Sequence, residues 1–448
     1  MANFSKSNVP QFSMEVYQNE YLPEGGREVN AIVTVTSTGG GTVGSAVAAP
    51  HLYTPGQGPD AAVAIMVDCS GSMDYPPTKM RGARDATAAA IDALRDGVYF
   101  AVIGGTHVAT EVYPGSGGLA VADTRTREHA KQALRRLSAG GGTAIGTWLR
   151  LADRLLSSAD VAIRHGIVLT DGRNEHESSE DLKAALDACA GRFTSDARGV
   201  GTDWEVKEVT GIASALLGTA DIVADPAGLS ADFTQMMEAA MGKEVADVAL
   251  RLWTPVGTSI RFVKQVAPTV EQLTDRRVEA SPRAGDYPTG SWGDESRDYH
   301  LCVEVPDAAL GQEMLAARVS LVIPQDDGTA RSLGAQGLVR AVWTDDMAAS
   351  TSINPQVAHY TGQAELAQVI QQGMDARKAG DADGATAKLG RAVQLASASG
   401  NADTAKLLAK VVDVVDAAAG TVRLKAKVAE ADEMTLETRS TKTVRVKK

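Results

Sequence analysis

Two apolar runs that each stop on an aspartate constrain this chain more than any other feature. The first is AAVAIMV, at residues 61–67, followed by Asp68, Cys69, Ser70, Gly71 and Ser72. The run is continuously apolar rather than alternating, which predicts a strand covered on both faces, as in a parallel sheet packed between helices. Asp68, Ser70 and Ser72 then lie just past its C-terminal end, where open α/β sheets bind ligands. Oxygens at i, i+2 and i+4 face one point if the loop wraps around it, and Gly71 frees the backbone to do so. An ordinary polar turn would look the same in this piece alone. The second run, RHGIVLTDGRNE at 164–175, again ends a buried strand on a carboxylate, Asp171, with Gly172 behind it. Between them SAGGGTAIGTWLRLADRLL, at 138–156, is a glycine-rich loop entering an amphipathic helix, with Thr143 near the junction. Two strand-end aspartates and a loop threonine complete one oxygen-lined pocket. All-oxygen ligation favours a hard divalent cation, Mg²⁺ or Mn²⁺ and less so Ca²⁺, over zinc.

This D-x-S-x-S … T … D-G set closely resembles the metal-ion-dependent adhesion site of von Willebrand factor A (VWA) domains. The resemblance covers residues 60–242 or so, and its five positions fall on Asp68, Ser70, Ser72, Thr143 and Asp171. It implies a doubly wound, mostly parallel α/β domain. It also implies a cation with one coordination position left for an Asp or Glu of a partner protein. The chain is similar to cytoplasmic bacterial VWA proteins.

Composition agrees with that setting. A formal charge of −12 disfavours nucleic acid or an anionic membrane as the main partner. The three cysteines, Cys69, Cys189 and Cys302, are too few and too scattered for a disulfide framework or a zinc site. The opening MANFSKSNVPQFSMEVYQNEY lacks the apolar stretch of a signal peptide, so a cytoplasmic protein is expected.

Around the A domain, expected over 55–242, the pattern changes. Short alternating runs punctuated by Pro and Gly fill 243–345, as in an antiparallel sandwich. Similar strands occupy 10–50 but are too few to bury a core alone. The expectation is one β-sandwich built from both stretches with the A domain inserted; the alternative is an N-terminal hairpin lying on the A domain. Residues 355–425 read as one or more helical hairpins, and 431–448 as a flexible, basic, threonine-rich tail. A phosphoacceptor among Thr435, Thr438, Thr441 and Thr443 is the sharper reading of that tail.

Other motifs carry little. GGGTAIGT lacks the G-K-[ST] ending of a P-loop, and neither Ser70 nor Ser72 sits in a nucleophile elbow. His165 and His176 bracket the Asp171 strand end, where surface placement is expected. The favoured function is therefore a non-enzymatic interaction protein that docks a partner's acidic residue through the cation. From the resemblance come partners such as a serine/threonine kinase, a phosphatase or a forkhead-associated protein. The alternative is the A-domain subunit of a larger enzyme of chelatase or AAA-ATPase type.

Overall fold

A computed structural model describes residues 10–38, 61–325, 327 and 329–446. Residues 39–50 and 55–60, at the edges of the expected sandwich strands and A domain, and Lys447 and Lys448 lie outside them. The chain divides into two units: Thr42–Ala246, and Met1–Gly41 together with Asp247–Lys448.

In the first unit, strand Ala61–Asp68 is buried at every residue and lies at the middle of a sheet. The order is Leu217–Val223, Thr194–Val200, Ile163–Thr170, Ala61–Asp68, Tyr99–Gly105, Ala109–Tyr113. The first five are parallel and the last is antiparallel. Apolar residues at successive positions bury both faces of the central strand, as expected for a parallel sheet with helices on either side. On one face Val63, Ile65 and Val67 pack with Ala83, Ala86 and Ile91 of helix Thr78–Asp92 and with Phe233 and Met237 of helix Leu229–Met241. Gly105 lets helix Ile145–Leu156 approach the sheet, because a Cβ there would stand 2.2 Å from the buried Trp148 ring. Asp68 and Asp171 end neighbouring parallel strands, so both lie at the same sheet edge.

The second unit contains two antiparallel sheets. One runs Gln11–Gln18, Glu28–Thr38, Glu295–Glu304, Ser259–Ala267, Glu271–Gln272. The other runs Val278–Ser281, Ala284–Trp292, Val245–Trp253, Glu313–Pro324, Ala330–Trp343, with Tyr21–Leu22 paired parallel at its edge. They face one another. Phe12 meets Trp292 edge-on at 5.6 Å, and a Cβ on Gly337 would stand 2.5 Å from Val16 and 3.0 Å from Met14. Glu28–Thr38 alternates, yet Ile32, between the alternate positions, is also fully buried. Val357 and Tyr360 of helix Pro355–Lys378 cover that side.

The C-terminal stretch differs from its sequence reading in two ways. Helices Pro355–Lys378, Ala382–Ser399 and Ala402–Val411 are followed by a β-hairpin, Val412–Asp416 with Thr421–Leu424, rather than by more helix. Residues 431–446 are not a free tail. Helix Glu430–Arg439 buries Leu436 completely among Leu366, Ile370, Leu389 and Leu408. Gln371 Nε2 donates to Glu437 O at 2.9 Å, and Lys378 Nζ lies 2.6 Å from the buried Glu437 carboxylate. Beyond it, Val270 N–H donates to Thr441 O at 2.8 Å and Thr443 N–H to Pro268 O at 3.0 Å, which stitches the chain end onto the first sheet. Thr438 is buried, Thr435 Oγ1 donates to Ala431 O, and Thr443 Oγ1 donates to Val266 O. A displayed phosphoacceptor tail does not fit these contacts.

A buried histidine sets an acid limit on this unit. His300 donates from Nε2 to Asn30 Oδ1 at 3.0 Å, and Phe262 abuts its ring. Burial, with Lys264 nearby, pushes it down from the ordinary 6.5 to about 4. The unfolded chain therefore takes up the proton first, and stability falls as pH drops from 6.5 towards 4. A displacement of this size corresponds to about 3 kcal/mol. Denaturant titrations at pH 7 and pH 4.5 should show that loss for this unit, and His300→Gln should reduce it; identical pH dependence in the variant would rule the histidine out.

Candidate metal centre

Two loops carry most of the candidate ligands, and backbone bonds lock them side by side. Cys69 N–H donates to Gly105 O at 2.7 Å, Gly71 N–H to Gly141 O at 2.9 Å, and Gly140 N–H to Cys69 O at 2.8 Å. Gly141 accepts a positive φ of 80° to make this approach. After Asp68 the chain curls into a 3₁₀ turn, Gly71–Asp74. The loop beyond Asp171 is fixed from the other side. Asn174 Oδ1 accepts from Ile145 N–H and Glu177 Oε2 from Gly146 N–H, both at 2.8 Å, which satisfies the free amides where helix Ile145–Leu156 starts.

All five predicted residues lie in this one region. Asp68 and Asp171 are fully buried, Ser70 and Thr143 nearly so, and Ser72 is exposed, so the pocket opens on the Ser72 side. Ser70 N–H donates to Asp68 Oδ1 at 2.8 Å. The Ser70 and Ser72 hydroxyls are 2.9 Å apart, and Ser72 Oγ donates to Asp171 Oδ1 at 2.7 Å. A Cβ on Gly172 would stand 3.0 Å from Ser72 Oγ and 3.8 Å from Thr143 Oγ1, so a side chain there would crowd both hydroxyls. Thr143 N–H donates to His176 Nδ1 at 3.2 Å at the exposed rim.

Charge is concentrated here. Burial raises the Asp68 pKa, and the charge of Asp171 adds to it; hydrogen bonds from Ser70 and Thr170 pull the other way. Two buried carboxylates flanked by hydroxyls are a donor set that fits a hard divalent cation. Among the described residues no cluster of three His, Cys, Asp or Glu side chains could hold a metal ion.

A structure titled von Willebrand factor type A from Catenulispora acidiphila is 52% identical, over 99% of each chain, with a TM-score of 0.90. The present chain belongs to the von Willebrand factor type A family. The family model for the von Willebrand factor type A domain matches residues 61–222, and the one for the type A C-terminal domain matches 394–440. The latter range contains the hairpin and helix Glu430–Arg439, so these are part of a family domain rather than an appended tail. The ArnB paralog VWA2 from Sulfolobus acidocaldarius shares the fold at 13% identity, over 96% of this chain and 98% of that one, TM-score 0.57. Human COPII-coat protein Sec24c does so at 10%, over 86% and 57%, TM-score 0.52. A comparison with curated protein sequences returned no match.

Two polar residues of the A-domain centre escaped the sequence reading. Thr170 Oγ1 donates to Asp68 Oδ2 at 2.7 Å, holding the aspartate that the motif supplies. Its only sequence signal was a hydroxyl immediately before Asp171. Lys79, in the first turn of helix Thr78–Asp92, places Nζ 2.7 Å from Asp171 Oδ2 and 3.1 Å from Asp203 Oδ2. Burial opposes its charge, but the two carboxylates more than offset that and raise its pKa. His165, in contrast, belongs elsewhere. It is buried near the start of strand Ile163–Thr170, 3.0 Å from both Thr194 Oγ1 and Asp196 Oδ2, rather than on the surface beside Asp171.

Proposed function

We propose that this VWA protein is a non-enzymatic interaction module that docks an acidic side chain of a partner protein through Mg²⁺ or Mn²⁺. Asp68, Ser70, Ser72, Thr143 and Asp171 are the residues that would hold the ion. The observation that carries the reading is the convergence of these oxygens, from three separated segments, around two fully buried carboxylates at one sheet edge. Two aspartates balance a divalent charge while the hydroxyls add none, so the bound ion would supply a Lewis-acidic contact for one more carboxylate. The exposed Ser72 side gives that carboxylate its approach. Binding is favoured over catalysis because the serines and Thr170 are engaged with the aspartates rather than held beside a base. VWA domains are in general metal-dependent interaction modules, and the serine/threonine-phosphorylation setting rests on the family resemblance of the sequence alone. A cytoplasmic location is supported by three free, buried cysteines. No helix among the described residues is long and apolar enough to cross a membrane.

Calorimetry with Mg²⁺ and Mn²⁺ tests the site. Asp68→Asn keeps one acceptor, for the Ser70 amide, and turns an NH2 towards Thr170 Oγ1, but removes the charge and one ligand oxygen, and should weaken binding about tenfold or more. Affinity capture with and without EDTA, read by mass spectrometry, should show partners lost on chelation. Unchanged ion affinity in Asp68→Asn would remove the proposal.

A further inference from the structure

The metal-site reading leaves Lys79 unexplained. A lysine is a poor neighbour for a cation-binding aspartate, since its ammonium and a divalent ion seek the same negative charge. Yet Lys79 is one of the better-buried charged residues of the A domain, with its side chain only 10% exposed. Its Nζ reaches Asp171 Oδ2 at 2.7 Å, while Ser72 takes Oδ1 of the same carboxylate. It also lies 3.5 Å from the backbone oxygen of Ser72, the residue at the pocket opening. A second carboxylate, Asp203, stands 3.1 Å from Nζ and is 68% exposed. Asp203 lies in the segment between strand Thr194–Val200 and helix Val206–Ala215.

We propose that Lys79 is a resident counter-cation that competes with the divalent ion for Asp171 and so sets the affinity of the centre, with Asp203 as its alternative seat. The inference rests on the metal-site reading above. An unpaired carboxylate as deeply buried as Asp171 is costly, and the ammonium removes that cost when the divalent ion is scarce. When the ion takes Asp171, the lysine keeps a charged partner in Asp203 and need not be left unpaired among buried groups. Ion binding is therefore opposed by a fixed positive charge, but not blocked. Lys79 and Asp203 act here as positioning residues: each works through Asp171.

Calorimetric titration of the full-length protein with Mg²⁺ and Mn²⁺ tests this. Lys79→Gln retains a donor towards Asp171 and removes the charge; it should bind the ion about tenfold or more tighter than the wild type. Lys79→Arg restores the charge and should return affinity to the wild-type level or below. In EDTA, Lys79→Gln should melt below the wild type, and excess Mg²⁺ should raise its Tm by more than it raises the wild type's. If Lys79→Gln is unstable, Lys79→Met read by the same Mg²⁺-dependent gain in Tm replaces it. Asp203→Asn should weaken ion binding in the wild type but much less in the Lys79→Gln background, the signature of coupling through the lysine. Equal or weaker binding by Lys79→Gln, with the wild type still binding, would overturn the competition and leave the metal site standing. An Asp203→Asn effect of the same size in both backgrounds would overturn the alternative seat. If neither wild type nor Lys79→Gln binds either ion, the metal-site reading falls and this inference with it.

Discussion

Deleting residues 430–448 should destabilise the second unit severely, by about 5 kcal/mol or more, rather than trim a loose end. The deletion removes Leu436, completely buried against Leu366, Ile370 and Leu408. It also strips partners from Arg377 and Lys378, which lie 2.7 Å from Glu433 and 2.6 Å from Glu437. Gln371 loses acceptors at Glu437 O and Ser440 Oγ. At the sheet, the amide of Val270 loses its acceptor and the carbonyl of Pro268 its donor. A fully buried leucine alone contributes about 2–5 kcal/mol by truncation data. Leu436→Ala should therefore reproduce much of the loss without shortening the chain. The measurement is chemical denaturation followed by a probe in helix Pro355–Lys378, since the two units need not unfold together. A truncated protein with an unchanged midpoint would mean that these contacts do not matter in solution.

The reason this segment misleads on inspection is physical. Half of EADEMTLETR is charged, and its apolar face is little more than Met434 and Leu436. Its stabilising partners are 59 residues back for Glu437 and about as far for Glu433, so no local pattern reports them. The hairpin before it was more legible than its assignment suggests. VDVV is rich in β-branched residues, and Gly420, at φ 71°, follows an alanine run that reads equally well as helix. The central sheet was plain, because continuous burial on both faces writes itself into consecutive residues such as AAVAIMV. The candidate ligands were plain too. Four of the five lie within two short strings at strand ends, and Thr143 follows three consecutive glycines. What no string could show was which outside groups hold those ligands. Lys79 is one lysine in an ordinary helix start, and only the fold brings it to Asp171.

Removing residues 1–38 should have the largest effect of all on the second unit. Strand Glu28–Thr38 is not an edge: it pairs with Gln11–Gln18 on one side and with Glu295–Glu304 along ten residue pairs on the other. Val29, Ala31, Ile32, Val33 and Val35 are all completely buried. At about 1.5–3 kcal/mol for each large side chain, their loss is comparable to the whole stability of an ordinary domain. Polar contacts go with them. Thr34 Oγ1 donates to Asp298 Oδ1 at 2.6 Å, and Asp298 also accepts from Tyr360 at 2.5 Å and faces Arg445 at 3.0 Å. The same carboxylate therefore joins the N-terminal strand, helix Pro355–Lys378 and the chain end. Without Glu28–Thr38, strand Glu295–Glu304 would offer a long unpaired edge flanked by exposed apolar surface, a template for aggregation. A fragment of residues 247–448 should accordingly be insoluble or oligomeric. Residues 61–246, whose sheet needs no strand from outside, should fold alone and keep whatever Mg²⁺ affinity the full chain has. Size-exclusion chromatography and amide NMR spectra of both fragments decide the matter: a monomeric 247–448 fragment with dispersed resonances would show that the strands and helices after residue 246 are sufficient without the N-terminal strands.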